Sequence, residues 1–435
     1  MTWGERKTTN IVPRRAFTSG TIRRMATPSD DNSSTGHVFN HPSHRPLEGV
    51  LVVALEQVIS GPYCTRQLAD LGARVIKIER PGTGDFVRYH DKRVHGLCSH
   101  FVWTNRNKES LALDIKKPGD LEILKELIKK ADVFVQNLVP GAAARMGLSF
   151  EDLKQTNEGL IMCEISGYGS DGPYKTKKAY DLLVQSEAGL LSITGTPEQP
   201  CKVGASIADI AAGMYAYSSI MAALLQKSKT GKGCRIDVSM LESMVEWMGF
   251  PLYYAYEGQS APPRQGASHA SIYPYGPFEA NDGKVMLGLQ NEREWSILCQ
   301  QVLEMPELEK DQRFINTTLR SQNRDELYKI ICDAFQKYTA VQVVEKLEKA
   351  GIANAKLNSM NDVWEHPQLE ARRRFAEVET EAGVVKTSIP PGMSGDVQAR
   401  LDPVPGIGQH NEQILREFGL GKSEDALKKE AKANV

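Results

Sequence analysis

Short apolar stretches rich in β-branched residues alternate along the chain with stretches in which apolar residues recur every three or four positions. The first kind is typical of buried strands and the second of amphipathic helices. Strands are predicted at residues 50–55, 73–79, 110–114, 132–136, 160–165 and 234–239, with helices between them. Strand–helix–strand units of this kind make a parallel sheet with right-handed crossovers. The pattern therefore predicts a doubly wound, Rossmann-like α/β domain.

One predicted helix carries the principal candidate for chemistry. Its apolar residues recur from Ile207 to about Lys227, and Thr230 with the glycines after it ends the helix. Asp209 falls in the first turn, where free backbone N–H groups and the helix dipole favour an ionised carboxylate. A carboxylate held in a crowded place can attack an activated acyl group. The local pattern alone also fits an acid that merely satisfies the helix start.

Composition changes after the first domain. A Pro-, Gly- and Ser-rich stretch at 259–266 predicts the end of a large α/β domain spanning 46–260. Helices and strands predicted beyond it indicate a smaller α+β domain over 267–370. Residues 371–421 contain a proline-rich run and a last helix to about Phe418, and 422–435 form a charged, solvated tail.

Net charge and cysteine spacing narrow the range of possible binding partners and cofactors. The net charge of −1 argues against nucleic acid as the main partner, and no run of about 18 apolar residues predicts a membrane span. The seven cysteines are scattered and never spaced as CxxC, so free thiols are expected and a metal cluster is not. The first strand–helix–strand unit lacks a GxGxxG fingerprint, so a nicotinamide dinucleotide is not indicated.

The first residues of the chain differ from the rest. Residues 1–27 carry six Arg and Lys against one acid, with several hydroxyl side chains, which is typical of a mitochondrial transit peptide. Residues 28–45 are polar and predict a disordered linker. A mitochondrial matrix location follows from this interpretation, and a disordered tail without a targeting role is the alternative.

Several short motifs, each weak alone, occur in the order found in class III coenzyme A transferases. They lie at 60–62 with 68–79, 105–108 with 113–114, 137–141, 167–169, 180–181, and 204–213 with 230–233. The chain from 46 to 421 therefore resembles that family, which includes formyl-CoA transferase and carnitine CoA-transferase. The family's fold implies an obligate homodimer of two interlinked ring-like chains, in which 371–421 return to the large domain.

The resemblance implies that Asp209 is the catalytic nucleophile. Its carboxylate would attack the thioester of a donor acyl-CoA and form first a mixed anhydride and then an aspartyl-CoA thioester. The acceptor acid would then reverse the sequence. Because the acyl group stays activated throughout, CoA thioesters are needed only as substrates, and no metal or permanently bound cofactor is expected.

The resemblance also assigns binding residues. The expected CoA contacts are Gln57, Arg80, Arg106, Lys108, Asn137, Leu138, Arg145, Lys178 and Tyr180. The basic members suit phosphates, and an apolar wall suits adenine. The expected substrate contacts are Ile59, Arg264, Gly266, Ala267 and His269. Backbone N–H groups near Asp209 and in the loop at 266–270 are candidates to stabilise oxyanions.

Two departures from formyl-CoA transferase bear on the substrate. Ile59 stands where that enzyme has Gln, and residues 266–269 read Gly-Ala-Ser-His in place of a tetraglycine loop. The run at 264–278 resembles the dicarboxylate branch, in which Arg264 and His269 would hold a distal carboxylate. We therefore expect CoA transfer from succinyl-CoA to a C5 dicarboxylic acid, itaconate preferred. Mesaconate, citramalate, malate and hydroxymethylglutarate are alternative acceptors.

Two other functions stay open at this point. An α-methylacyl-CoA racemase has the same fold, but those relatives carry His where this chain has Tyr180, and a tyrosine is a poor proton shuttle near neutral pH. A non-catalytic CoA-binding protein is the third interpretation.

Overall fold

The central feature of this computed structural model, which describes residues 45–392 and 398–420, is a six-stranded parallel sheet. Its strands are β1 Leu51–Leu55, β2 Arg74–Glu79, β3 Lys108–Ala112, β4 Val133–Gln136, β5 Ile161–Ser166 and β6 Arg235–Ser239. They lie in the order β3-β2-β1-β4-β5-β6. The predicted doubly wound domain is confirmed. Its strand order reverses between β1 and β4, the place where open α/β sheets bind ligands.

The helices follow the predicted alternation. They are α1 Ser60–Asp70, α2 Ser99–Asn105, α3 Pro118–Lys129, α4 Ala142–Arg145, α5 Phe150–Lys154, α6 Asp181–Glu187, α7 Leu190–Ile193, α8 Ile207–Thr230, α9 Met240–Trp247, α10 Gly249–Tyr254, α11 Glu292–Ile297, α12 Thr317–Gln322, α13 Arg324–Phe335, α14 Ala340–Lys349, α15 Met360–Trp364, α16 Pro367–Ala371 and α17 Asn411–Phe418. Single-turn helices occupy Phe86–Tyr89, Tyr256–Gly258 and Pro306–Lys310, and a π-helix occupies Leu298–Val302.

The sheet is buried on both faces because successive strand residues point to opposite sides. Val52 and Ala54 belong to the apolar cluster with α1 and α8, whereas Val53 and Leu55 belong to the cluster with α3 and α17. This continuous burial explains why the strand was readable as an uninterrupted apolar run.

Helix α8 packs unusually close to α1. A Cβ atom added at Gly213 would lie 2.8 Å from the Ser60 carbonyl oxygen and 3.0 Å from the Tyr63 ring. Among the helices of the described residues, α8 is long and apolar enough by length and composition to cross a membrane. Its buried alanines pack against α1 and the sheet, which is the position of a core helix.

The smaller α+β domain is also present. Strands β7 Tyr275–Glu279, β8 Lys284–Gly288 and β9 Ala353–Lys356 form an antiparallel sheet over a separate apolar core. Strands β10 Phe375–Thr380 and β11 Gly383–Ser388 form a hairpin beyond it. The domain boundaries at 260 and 370 stay predictions.

Several predicted elements differ in detail. The helical segment after β5 is divided into α6 and α7 at Gly189, which adopts a left-handed φ of 80°. The edge strand β3 begins two residues earlier than predicted. Its residues Lys108 and Ser110 are polar but buried, because their side chains form hydrogen bonds with buried acids, so a hydrophobic pattern does not mark them as strand. Strands β7 and β10 and helix α2 lacked a readable pattern and were not predicted.

The end of the described chain covers the outer edge of β3. His410 Nδ1 accepts a hydrogen bond from the backbone N–H of Ser110 at 3.1 Å, and Asn411 Oδ1 accepts one from that of Ala112 at 2.8 Å. Asn107 bonds to the backbone of Asp402 in the same region. Side chains thus replace a neighbouring strand along this edge.

Candidate active site

The two chain segments that leave the switch point are joined by reciprocal hydrogen bonds. The backbone N–H of Gln57, after β1, donates to Asn137 Oδ1 at 2.8 Å, and Asn137 Nδ2, after β4, donates to the Gln57 carbonyl at 2.8 Å. Asn137 Nδ2 also lies 3.3 Å from Ser60 Oγ. The structure therefore brings Gln57, Asn137 and Ser60 together in the crevice between β1 and β4.

Asp209 lies in the first turn of α8 and hydrogen bonds with Ser60. Its side chain is half-buried. Burial, followed by the charge of Asp181, raises the pKa of the Asp209 carboxyl to about 7, although the hydrogen bonds with Ser60 act in the opposite direction. The free N–H groups and dipole of the helix end favour the ionised form of this acid. Burial and the neighbouring carboxylate outweigh that effect here.

Helix α6 fixes the start of α8. Asp181 Oδ1 accepts a hydrogen bond from the backbone N–H of Ala208 at 2.8 Å, and Asp181 Oδ2 accepts one from Gln185 Nε2 at 2.8 Å. The buried Gln185 also accepts from the backbone N–H of Val203 at 3.0 Å. Gln185 was missed by sequence reasoning. The only signal was its spacing, four residues after an acid on the same helix.

Two expected CoA contacts are turned inward. Arg106 makes two hydrogen bonds to Asp70, at 2.9 and 2.7 Å, and Lys108 Nζ donates to Glu56 Oε1 at 2.7 Å. Both side chains are buried, and burial lowers the pKa of Lys108 to about 8. The structure therefore does not bring these two residues to an open nucleotide site. Their partners are Asp70 of α1 and Glu56, directly before Gln57. Arg106 and Lys108 therefore stabilise the segments that border the crevice.

The other expected CoA contacts lie at or near the surface. Arg80 follows the carboxyl end of β2, Arg145 lies on α4, and Lys178 with Tyr180 precedes α6; all four are exposed. Leu138 is half-buried and lines a cavity of about 340 Å³ at the carboxyl ends of β4 and β5, which Arg235 and Asp237 of β6 also line. A cavity of this size at this edge suits part of a cofactor-sized ligand.

The expected substrate loop is docked on the hairpin that leads into α8. The backbone N–H of Gly266 donates to the Gly195 carbonyl at 2.7 Å, and Gly266 and Ala267 are exposed. Arg264 donates to the carbonyl oxygens of Thr196 and Pro197 at 2.9 and 2.8 Å. The Arg264 guanidinium therefore already donates to backbone carbonyl groups in this structure, and these N–H groups are not available to bind a carboxylate.

His269 and Ile59 have different surroundings. His269 Nδ1 accepts hydrogen bonds from the backbone N–H groups of Ser271 and Ile272, so the ring proton is on Nε2 and that nitrogen is a donor. The His269 ring stacks on that of Tyr275, with centroids 5.4 Å apart. Ile59 is buried directly before α1.

Arg324, which sequence reasoning missed, holds the other end of the substrate loop. Its guanidinium donates to the Ala270 carbonyl at 3.0 Å and lies over the Tyr273 ring. This arginine is 54 residues from its partner in sequence, so no local pattern could have connected them.

Several known proteins are similar to this chain in sequence and fold. CoA-transferase family III matches the chain over residues 47–411. Human succinyl-CoA:glutarate CoA-transferase is 38% identical over 379 residues, covering 86% of each chain. Acetyl-CoA:oxalate CoA-transferase of Acetobacter aceti is 34% identical over 376 residues, covering 86% of this chain and 96% of the relative. A CaiB/BaiF family protein from Brucella suis has a crystal structure with a TM-score of 0.78, 31% identity and coverage of 86% of this chain and 100% of that one.

This chain belongs to CoA-transferase family III and is a CoA-transferase. The family resemblance and the enzyme class predicted from the sequence are confirmed.

Proposed function

We propose that this enzyme moves CoA from succinyl-CoA to a C5 dicarboxylic acid through covalent intermediates on Asp209. The observation that carries the proposal is the position of this carboxyl group at the start of α8, hydrogen-bonded with Ser60 beside the switch-point crevice. Helix α6 holds the start of α8 in place through Asp181 and Gln185.

In the first half-reaction, an Asp209 carboxylate oxygen attacks the thioester carbonyl carbon and the carbon–sulfur bond breaks. This gives a mixed anhydride of Asp209 and succinate, with CoA as a thiolate. The thiolate then attacks the Asp209 carbonyl carbon of the anhydride and releases succinate. The acceptor carboxylate reverses both steps, so no proton or electron is gained or lost overall.

Each attack creates an oxyanion that needs nearby hydrogen-bond donors. The hydroxyl and backbone N–H of Ser60 are candidates because this residue already hydrogen bonds with Asp209. The loop at 266–270 is the second candidate, and His269 offers an Nε2–H donor there.

For the CoA site, we assign the exposed Arg80, Arg145 and Lys178 to the phosphates and the cavity beside Leu138 to the adenosine portion. Gln57 and Asn137 would border the path toward Asp209, and Tyr180 lies at the start of α6. We assign Arg106 and Lys108 a structural role and not a CoA contact, because their charges are already paired with acids inside the domain.

The acceptor class rests on two observations. The 38% identical human relative is named for glutarate, a five-carbon dicarboxylate like the itaconate expected from sequence. Ile59 is apolar and buried, and the loop at 266–269 carries His269, so neither copies the formyl-CoA transferase pattern described above. The relative named for oxalate makes that shorter diacid the competing acceptor.

An acceptor panel with purified enzyme and succinyl-CoA tests this proposal. Glutarate and itaconate should form their CoA thioesters faster than oxalate or carnitine, with mesaconate, citramalate, malate and hydroxymethylglutarate in the same panel. Faster turnover of oxalate or carnitine would contradict the C5 assignment. Deuterium uptake at the α-carbon of a branched acyl-CoA without an acceptor would instead indicate the racemase activity.

We further propose a homodimer in the mitochondrial matrix. The homodimer is supported by the exposed aromatic surface of α10 and its flanks, where Tyr253 is 80% exposed. The transit peptide at 1–27, the linker at 28–45 and the tail at 422–435 lie outside the described residues, except for Arg45. A fluorescent protein fused after residue 44 should enter mitochondria, and a cytosolic signal would contradict the targeting assignment.

A further inference from the structure

Three side chains of different chemistry meet between the Phe86–Tyr89 helix and α2. They are Asp91, Cys98 and His100, and their possible ligand atoms all lie within 4.8 Å of one another. Cys98 is buried, and the other two are half-buried. None of the three has a place in the CoA-transfer chemistry proposed above.

The spacing of the donor atoms fits one tetrahedral ion. Cys98 Sγ lies 3.4 Å from Asp91 Oδ2, and His100 Nδ1 lies 3.6 Å from the same oxygen. Two ligands at a tetrahedral angle, with Zn–S of about 2.3 Å and Zn–N or Zn–O of about 2.0 Å, are separated by roughly 3.3–3.5 Å. These two separations therefore need little adjustment, and all three donor atoms lie within 4.8 Å of one another.

The imidazole supplies a second, independent observation. His100 Nδ1 is shielded from solvent and has no hydrogen-bond partner among the residues that the structure describes. A buried polar nitrogen without a partner is costly, and here it faces a carboxylate oxygen and a thiol. A cation between the three groups would satisfy it.

The carboxylate is already oriented. Asp91 Oδ1 accepts from the backbone N–H groups of Arg93 and Ser99 at 3.0 Å each, and Asp91 Oδ2 accepts from the Ser99 hydroxyl at 2.7 Å. Such outer hydrogen bonds orient metal-binding carboxylates.

We propose that Asp91 Oδ2, Cys98 Sγ and His100 Nδ1 bind one Zn²⁺, with water as the fourth ligand. A thiolate, an imidazole and a carboxylate together favour zinc over calcium or magnesium, which prefer oxygen ligands. On binding, the Cys98 thiol loses its proton to solvent as the Zn–S bond forms. The spacing here is Asp-x6-Cys-x-His, which differs from the paired-cysteine spacing of common zinc sites and is therefore not recognisable as a metal motif in the sequence.

A metal at this position would close the loop between residues 91 and 100 and fix the start of α2. Cys98 shares an apolar cluster with Val58, and Trp103 of α2 packs against Tyr63 of α1 with ring centroids 5.2 Å apart. The ion would thus stabilise a wall of the segment that includes Gln57 and Ser60. It would take no part in the transfer itself, so this inference stands or falls separately from the proposed function.

Cobalt titration of the full-length, chelator-treated protein tests the site. Co²⁺ should bind in one equivalent per chain and give a thiolate-to-cobalt charge-transfer band with tetrahedral visible bands; Zn²⁺ should then displace it. Cys98→Ser should abolish the charge-transfer band. His100→Ala should weaken affinity by at least the roughly 10- to 100-fold that loss of an outer hydrogen-bond partner costs.

Two matched variants serve as controls. Cys201→Ser removes an exposed thiol outside the cluster, and His95→Ala removes an exposed imidazole of the same loop. Both should keep the wild-type spectrum and affinity. Circular dichroism of the metal-free proteins establishes that each variant folds, and Zn²⁺ should raise the melting temperature of the wild type but not of Cys98→Ser. Absence of the charge-transfer band in the wild type, its persistence in Cys98→Ser or its loss in Cys201→Ser would overturn the assignment.

Discussion

At the scale of single residues, the proposed chemistry depends on how Asp209 is held. A carboxyl group with a pKa of about 7 is a better nucleophile when ionised than an ordinary surface acid, because basicity and nucleophilicity rise together. The same shift means that part of the free enzyme carries a neutral Asp209 at physiological pH. In the proposed mechanism, Asp181 therefore influences activity without contacting the bond that breaks, whereas Ser60 also offers donors to the oxyanion.

We expect the rate to follow the ionisation of Asp209. The carboxylate is the reactive form, so kcat/KM for succinyl-CoA should rise as pH increases through about 7 and level off above it. Asp181→Asn keeps an oxygen that can accept from Ala208 but removes the charge that raises the pKa, so the midpoint should move to lower pH. Glu187→Gln, on the same helix, is the control and should leave the midpoint in place. An unchanged midpoint in Asp181→Asn would contradict this coupling.

Asp209→Asn should separate binding from turnover. The amide preserves the size of the side chain but cannot attack a thioester, so kcat should fall by roughly 10⁴-fold or more. Affinity for CoA should change little, since the proposed nucleotide contacts lie elsewhere.

Trapping with hydroxylamine identifies the nucleophile directly. Wild-type enzyme incubated with succinyl-CoA and hydroxylamine should carry a hydroxamate on the peptide that contains Asp209, visible by mass spectrometry. Asp181 should stay unmodified because both of its carboxylate oxygens already accept hydrogen bonds. An adduct on Asp181, or an active Asp209→Asn enzyme, would exclude the mechanism.

Sequence could indicate Asp209, because it follows from one helix pattern and an ordered set of motifs. It could not show that Arg106 and Lys108 are internal, since a motif records the residue type but not whether neighbouring acids enclose it. Gln185 and Arg324 were missed for a related reason. Each acts on the backbone of another segment, and such contacts appear only once the chain is folded.

At the scale of elements, the close contact of α1 and α8 determines where Ser60 lies relative to Asp209. Gly213 permits this contact because the Ser60 carbonyl occupies the space that a side chain would need. The strands and α8 were predicted well because they are buried and apolar. Strand β3 was predicted out of position because its buried residues are polar, which a hydrophobic pattern cannot reveal.

Gly213→Ala should disturb the active site from inside the fold. The added methyl group would force α1 and α8 apart or shift one of them, which typically costs about 1–3 kcal/mol of stability. We expect a lower melting temperature together with a loss of kcat, because Ser60 moves away from Asp209.

Gly119→Ala on α3 is the matched comparison. A Cβ there meets no atom of the described part of the chain within 4 Å, so this variant should be as stable as the wild type or slightly more stable, with full activity. Thermal melts and acceptor assays on both variants check the pair. Equal behaviour of the two variants would show that the close approach at Gly213 has no functional role.

At the scale of the whole molecule, the α10 region leaves large apolar side chains in solvent. Trp247, Phe250, Leu252, Tyr253 and Tyr256 are all exposed. Soluble proteins seldom leave so many aromatic groups together without a partner. The two domains were predictable from composition and pattern, whereas a surface of this kind depends on which side of a helix faces outward.

We predict that this surface joins two copies of the chain. Light scattering of the purified protein should give a dimer, and Phe250→Asp with Tyr253→Asp should lower the yield of dimer on refolding from denaturant, because charge would be buried at the interface. Leu357→Asp changes another exposed apolar residue outside α10 and should leave the dimer intact. A monomeric wild type, or a double variant that refolds to the dimer as well as the wild type does, would exclude this surface as the interface.

The cover over the edge of β3 also has a consequence for synthesis on the ribosome. The backbone N–H of Ser110 donates a hydrogen bond to His410, which is synthesised 300 residues later. At about 5–20 residues per second, the edge strand therefore waits roughly 15–60 s after its own translation before its cover is available. During that interval its unpaired N–H groups can pair with another nascent chain. Chains stalled on the ribosome before residue 400 should thus bind chaperones or cross-link to one another through this strand, and full-length chains should not.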